Sequence, residues 1–314
     1  MHDTAVELRG VTKQFDGHAA VTDLSLIVPR GSIYGLLGPN GAGKTTSIRM
    51  IMGIVKADYG DVGVLGQPDG GWSQSSRIGY LPEERGLYRK MRVIDLLIFL
   101  AEAKGVRRSV ARNGAQSWLA RLGLSDWALR KVDQLSKGMQ QKVQFIATML
   151  HAPELVILDE PFAGLDPVNS QVMKDIVLEF ARGGGTVLFS THVMDQAERL
   201  CDAVCIIARG RKVLDGPVSE VKRAHGGRHV AVAVEQGLTT VASVLEDRTL
   251  VARADRYGQS AEVELASGTD PQVLLRRLLD AGARLTRFEV TEPSLHKIFI
   301  DRVGPQGTPG SGAA

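Results

Sequence analysis

Gly38-Pro39-Asn40-Gly41-Ala42-Gly43-Lys44-Thr45-Thr46 is the stretch on which the reading of this chain turns. It follows the apolar run Ile33-Tyr34-Gly35-Leu36-Leu37 and precedes Ser47-Ile48-Arg49-Met50-Ile51-Met52, which reads as a helix. Strand, glycine-rich turn and helix form the setting of a phosphate-binding loop. Gly38, Gly43, Lys44 and Thr45 fill its G-x-x-x-x-G-K-[ST] pattern. Gly41 and Gly43 permit backbone angles that turn successive N–H groups inward as a nest for anionic oxygens. The helix that begins there adds the positive end of its dipole. Lys44 has the reach for β- and γ-phosphates, and the Thr45 hydroxyl suits Mg²⁺. A glycine-rich hairpin matching by chance is the bland alternative, and the complete pattern in its complete setting argues against it. The chain is expected to bind a nucleoside triphosphate.

Upstream, Val6-Glu7-Leu8 and Val21 to Val28 alternate with period two and are separated by Phe15-Asp16-Gly17-His18, which predicts a small antiparallel sheet. Phe15 falls at the turn, where an aromatic ring either stacks on a purine or plugs the sheet. Downstream, Ala57 to Val62 reads as a turn and return strand. In Arg77 to Tyr88 a short strand is stopped by Pro82 and releases Glu83 and Glu84 into a loop. From Val93 to about Leu150 the spacing is helical, with turns near Gly105 and Gly123. Within it, Leu135-Ser136-Lys137-Gly138-Met139-Gln140 is a polar turn opening onto a helix.

Leu155-Val156-Ile157-Leu158-Asp159-Glu160-Pro161 is an unbroken apolar strand ending in acids, the pattern of a buried parallel strand. Ligands of such sheets bind at the carboxyl ends of the strands. Asp159 is therefore placed to hold Mg²⁺, directly or through water, and Glu160 to orient or deprotonate a water. The competing reading of this acid pair is an N-cap. Gly164-Leu165-Asp166-Pro167 follows, and then the buried strand Thr186 to Ser190 delivers Thr191-His192. A lone histidine is commonly a packed core residue, but the strand end favours a phosphate contact for His192. Ala203 to Ala208 and Lys212 to Leu214 predict a closing hairpin.

The chain's 314 residues allow two domains, and 44% hydrophobic content is that of an ordinary globular protein. A net charge of +3 with dispersed Lys and Arg gives no basic groove. Cys201 and Cys205 lie in an apolar stretch and read as core or half-buried thiols of a reducing compartment. No apolar leader opens the sequence, and no run of about 20 apolar residues could span a bilayer. The longest candidate, Val93 to Ala101, is too short and contains Asp95. The expectation is a cytosolic chain, or one held at a membrane through another protein.

Together these stretches resemble the ATP-binding subunit of ABC transporters, over roughly residues 4 to 220. Gly38 to Thr45 matches the first nucleotide motif, and Leu155 to Asp159 the second, with Glu160 at the catalytic glutamate. Leu135 to Gln140 matches the signature turn, Gly164 to Asp166 the D-loop, His192 the switch histidine and Phe15 the adenine-stacking aromatic. The resemblance implies a P-loop NTPase α/β domain with an N-terminal antiparallel β subdomain and a helical signature subdomain. It implies ATP and Mg²⁺ as cofactors, with Thr45, Glu83 and Asp159 toward the metal. It also implies head-to-tail pairing with a second ATP-binding subunit, a homodimer or a related chain, in which Ser136 and Gly138 reach ATP held by the partner, and it counts Asp166 among the nucleotide-binding residues. An integral membrane permease would be driven from the cytoplasmic face, and nucleic acid is not expected as a partner. Glu83 stands where the family usually has Gln, and Lys137 and Met139 stand where Gly and Gln are common. These features resemble a bacterial subgroup exporting sodium ions, drugs or other toxic compounds. A soluble ABC-type ATPase acting on ribosomes or DNA is the alternative. The single nucleotide motif and the lack of sustained heptads count against it.

Beyond Arg228 the order strand, helix, strand, strand, helix, strand predicts a small ferredoxin-like α+β domain with a final helix from Pro293 to Arg302. It resembles the accessory C-terminal domain of some of these ATPases, including the Glu292 to Phe299 pattern. Pairing or regulating subunits and serving as a stabilising appendage are both open to it. The expected domains are 1–222, 223–303 and a disordered Gly- and Pro-rich tail, 304–314.

Overall fold

The computed structural model describes residues 4–68, 70–84, 86–225, 229–236 and 238–303. The tail 304–314 lies outside these residues. A first compact unit runs to Pro217 and a second spans Val218–Arg302.

The first unit opens with β1 (Thr4–Phe15) and β2 (His18–Pro29), paired antiparallel. Asp16 and Gly17 join them at φ of +46° and +81°. This is the loop that a right-twisted two-residue hairpin demands, and Asp-Gly is the dipeptide that adopts it most readily. β3 (Ile33–Leu37) leads through the glycine loop into α1 (Lys44–Ile51). The helix begins earlier than its apolar spacing predicts, because Gly43 in the left-handed region serves as the N-cap. β4 (Tyr59–Val64) then returns to pair with β1, so the small sheet has the order β2-β1-β4 and includes a strand from beyond the loop.

β5 (Ile78–Leu81) is followed by the helices α2 (Val93–Ala103), α3 (Arg108–Arg121) and α4 (Lys137–Met149). β6 (Leu155–Asp159), α5 (Pro167–Arg182), β7 (Thr186–Thr191), α6 (Met194–Leu200), β8 (Ala203–Ala208) and β9 (Arg211–Pro217) complete the unit. The main sheet has the order β5-β6-β7-β3-β8-β9, parallel except for β9. Every residue of β3, β6 and β7 is buried, which explains their unbroken apolar runs. One core joins both sheets: Leu8, Val11 and Leu24 pack with Leu36, Ile48, Ile157 and Leu188. Cys205 is buried in it and Cys201 is half-buried.

The second unit starts with α7 (Val218–Ala224), a helix that contains the expected 222/223 junction. β10 (His229–Val234), α8 (Ala242–Glu246), β11 (Val251–Tyr257), β12 (Ser260–Leu265), α9 (Pro271–Asp280), β13 (Leu285–Thr291) and α10 (Leu295–Val303) follow. The antiparallel order β11-β12-β10-β13 is the ferredoxin-like arrangement the element sequence predicts. Val230, Val232 and Val263 of the sheet pack against Leu245, Leu274 and Leu278 of α8 and α9.

Gly79 in β5 fixes how closely α4 approaches the main sheet. A Cβ there would lie 2.3 Å from the Thr148 carbonyl oxygen. Gly79→Ala is therefore expected to destabilise the chain by about 1–3 kcal/mol through overpacking, read as a lower urea midpoint. An unchanged midpoint would contradict this packing.

Candidate active site

Strand register brings the chemistry to one edge. Leu37 lies opposite Thr191, Asp159 opposite Ser190, and Leu81 opposite Leu158. Because these strands run parallel, the residues that follow them, Gly38, Glu160, His192 and Glu83, all leave the sheet on its carboxyl side. A cleft of about 450 Å³ opens there, lined by Asn40 to Thr46, Glu83, Asp159 and Glu160, with His18 and Ala20 of β2 as its further wall.

Gly43, at φ +103°, could carry no side chain: a Cβ would come within 2.5 Å of the Ala20 carbonyl oxygen. The next residue, Lys44, is only 6% exposed. Its ammonium donates to the Gly38 carbonyl at 2.8 Å and the Pro39 carbonyl at 3.1 Å, and lies 3.9 Å from Glu160 Oε1. Burial lowers the pKa of Lys44, against the opposing pull of Glu160, Asp159 and Glu83. The direction of the net shift says that these carboxylates do not fully compensate the buried cation. An anion entering the cleft would favour the charged form. Thr45 and Thr46 are half-buried beside it, and Ser47 Oγ closes the helix start on the Gly43 carbonyl at 2.9 Å.

Asp159 is fully buried. Its Oδ1 accepts from Ser190 Oγ, while Oδ2 has no hydrogen-bond partner. Glu160 adopts φ +47°, in the left-handed region that non-glycine residues seldom enter. Its amide donates to the Ser190 carbonyl at 3.1 Å, so β7 holds the turn. The carboxylate accepts from Thr191 Oγ1 at 3.2 Å and the His192 amide at 3.0 Å, and His192 Nδ1 lies 2.8 Å from it. Both oxygens are thus held in place beside Lys44. His192 is not a packed core residue, for its side chain is 47% exposed.

Other predicted residues stand apart from this cleft. Ser136 caps α4, accepting from the Met139 amide at 3.3 Å, and Gly138 sits where a Cβ would touch Leu165 at 3.6 Å. The signature turn therefore adjoins the 164–166 turn of the same chain. Asp166 caps α5, accepting from the Asn169 amide at 3.0 Å, and this bond and a second from the Asn169 side chain lower its pKa. Phe15 is 46% exposed with the Lys13 ammonium 5.4 Å from its ring centre, outside the cleft wall. Lys137 lines an adjoining cleft of about 420 Å³ with Glu83 and Glu84. Ser190, Thr191, His18 and Ala20 join the site without carrying a motif of their own. The hydroxyls at the end of β7, on the strand next to the acids with Ser190 directly opposite Asp159, are the available signal.

Over 294 residues the chain is 41% identical to an uncharacterized ABC transporter ATP-binding protein, YhaQ of Bacillus subtilis, covering 94% of this chain and 97% of that one. The chain belongs to the ATP-binding proteins of ABC transporters. The ABC transporter family model matches residues 21–163 of this ATPase, and that of the DrrA1-3-like ATP-binding protein C-terminal domain matches residues 216–303. The ATPase is 32% identical to the Nod factor export ATP-binding protein I of a Rhizobium species, covering 97% of this chain and 98% of that one. It is 31% identical to the daunorubicin resistance ATP-binding protein DrrA3 of Streptomyces coeruleorubidus, covering 97% of each. A solved ATP-binding subunit of an ABC transporter superposes with a TM-score of 0.66 at 30% identity, covering 70% of this chain and 93% of that one.

Lys44→Ala removes the buried ammonium and its hold on the loop. We expect ATP affinity to fall at least about tenfold, from the loss of charge-assisted contacts, in a calorimetric titration. Undiminished affinity would show that the cleft is not the nucleotide site.

Proposed function

We propose that this ATPase acts as one half of a head-to-tail pair that powers a separate membrane permease, and that the complex exports its substrate. The observation that carries the reading is the separation within one chain. Lys44 and Glu160 face one cleft, while Ser136 and Asp166 cap helices outside it and Gly138 lies in the first turn of α4. Each chain then offers two half-sites, and ATP lies between the phosphate loop of one subunit and the signature turn of the other. Backbone N–H groups at the start of α4 suit a γ-phosphate.

In this reading Asn40 to Thr46 cradle the phosphates and Phe15 is the platform for adenine. The oxygen set of Thr45, Asp159 and Glu83 fits Mg²⁺, and the buried Asp159 Oδ2 without a partner supports that assignment. Among the described residues no cluster of three His, Cys, Asp or Glu side chains could cage a metal. Bound there, the ion would offset charge on the phosphates. Glu160 orients the attacking water and takes its proton as the bond from oxygen to the γ-phosphorus forms and ADP leaves. Thr191 and His192 hold the carboxylate in register.

The pathway itself is assigned to the permease, as in other transporters whose ATP-binding subunit is a separate chain; among the described residues no helix is long and apolar enough to cross a membrane. The loop from Glu83 onward is the proposed docking site. It carries the 56% exposed Tyr88, whose ring meets the half-exposed Phe99 edge-on at 5.8 Å. Relatives named for Nod factor export and daunorubicin resistance support the direction. Tagging the chain and solubilising membranes gently should co-purify a polytopic membrane protein in stoichiometric amount. Ribosomes, nucleic acid or no partner would contradict the transporter reading. Glu83→Gln should keep ATP turnover within about tenfold of the parent, since either side chain offers oxygen to the ion. A larger loss would contradict this role of Glu83.

A further inference from the structure

Among the described residues the sheet of the second unit is open at one edge and blunted at the other. Along β11 the pairing slips between Val251 and Arg253, and the Arg248 guanidinium bonds the Ala252 carbonyl at 2.6 Å. A kinked strand with an occupied carbonyl is a poor template. β13, at the opposite edge, slips only at its start, between Leu285 and Arg287, and pairs regularly with β10 from Arg287 to Thr291. Thr286, Arg287, Glu289 and Val290 are exposed on it.

The side chains of this edge are self-complementary. Pairing with Ala233 and Ala231 puts Arg287 and Glu289 on one face, and pairing with Val232 and Val230 puts Phe288 and Val290 on the other. A second β13 running antiparallel and centred on Phe288 would set each Arg287 opposite the other strand's Glu289, and each Thr286 opposite Val290. Within one chain the two charges already bond each other, Arg287 Nη2 to Glu289 Oε2 at 2.5 Å, so the edge bears no net charge to repel a copy. Side-chain alternation restricts other registers to shifts of two residues. One such shift sets Arg287 against Arg287 and the other Glu289 against Glu289, so like charges penalise both.

We propose that the β13 edge is a pairing surface for a second copy of this chain, which adds its own β13 about Phe288 to give one continuous sheet. The contact is independent of the nucleotide site, and it assigns the accessory unit to holding subunits together between ATP cycles. In the full chain, mixing an Arg287→Cys protein with a Glu289→Cys protein should give a disulfide-linked heterodimer on mild oxidation. The directly opposed Cα atoms, about 4.5–5.5 Å apart, lie within disulfide reach. Neither protein alone should cross-link. Without nucleotide, sedimentation should show Arg287→Glu or Glu289→Arg weakening the dimer about fivefold or more, and the double swap restoring it. Lys44→Ala should leave the dimer intact, which separates this contact from the ATP-dependent one. Cross-linking of one Cys protein with itself, a double swap no better than the singles, or pairing that vanishes with Lys44→Ala would each overturn the proposal.

Discussion

Lys44 carries its charge at 6% exposure, and a buried cation is tolerated only where hydrogen bonds and counter-charges surround it. The loop carbonyls of Gly38 and Pro39 supply the first, and Glu160 at 3.9 Å supplies part of the second. That arrangement depends on parallel strands ending level with one another. A slip of one residue between β6 and β7 would turn Asp159 away from Ser190 and leave Glu160 without Thr191. The uninterrupted burial of β3, β6 and β7 holds these strands at the centre of the sheet. The apolar runs therefore serve the chemistry as directly as the acids do.

Glu160 shows how the scaffold constrains the carboxylate proposed to activate water. A left-handed glutamate is strained by roughly 1–3 kcal/mol, and the strain persists because β7 holds both the amide and the carboxylate. The turn allows consecutive acids to do different work. Asp159 stays buried at the strand end with one oxygen free, and Glu160 swings toward Lys44 and His192. The C-terminal unit follows another logic. Its core is closed by α8 and α9, and its distinctive surface is a strand edge rather than a cleft.

The phosphate loop, the parallel strands and the ferredoxin-like order were legible because each rests on local chemistry or period. Glycines are needed where φ is positive, apolar runs where both faces are covered, and alternation where one face is. Pairing between distant strands was less legible. β4 joins β1 across the whole phosphate loop, and nothing in Tyr59 to Val64 names its partner. His18 and Ala20 reach the cleft only because β2 crosses beneath Gly43, a tertiary contact without a local signature. Ser190 and Thr191 read as ordinary strand residues until register sets them beside the acids. Phe15 had two readings, and its exposure argues against a plug buried in the sheet.

The central claim is that Glu160, held beside Lys44, serves hydrolysis rather than nucleotide binding. Glu160→Gln keeps the shape and one oxygen acceptor while removing the charge and the base. Measuring ATP affinity and steady-state phosphate release on the same preparation tests the claim most directly. The account predicts binding within a few-fold of the parent, turnover lowered by about 10²-fold or more, and a closed dimer that persists with ATP. Full turnover in that variant would contradict it and move the base elsewhere.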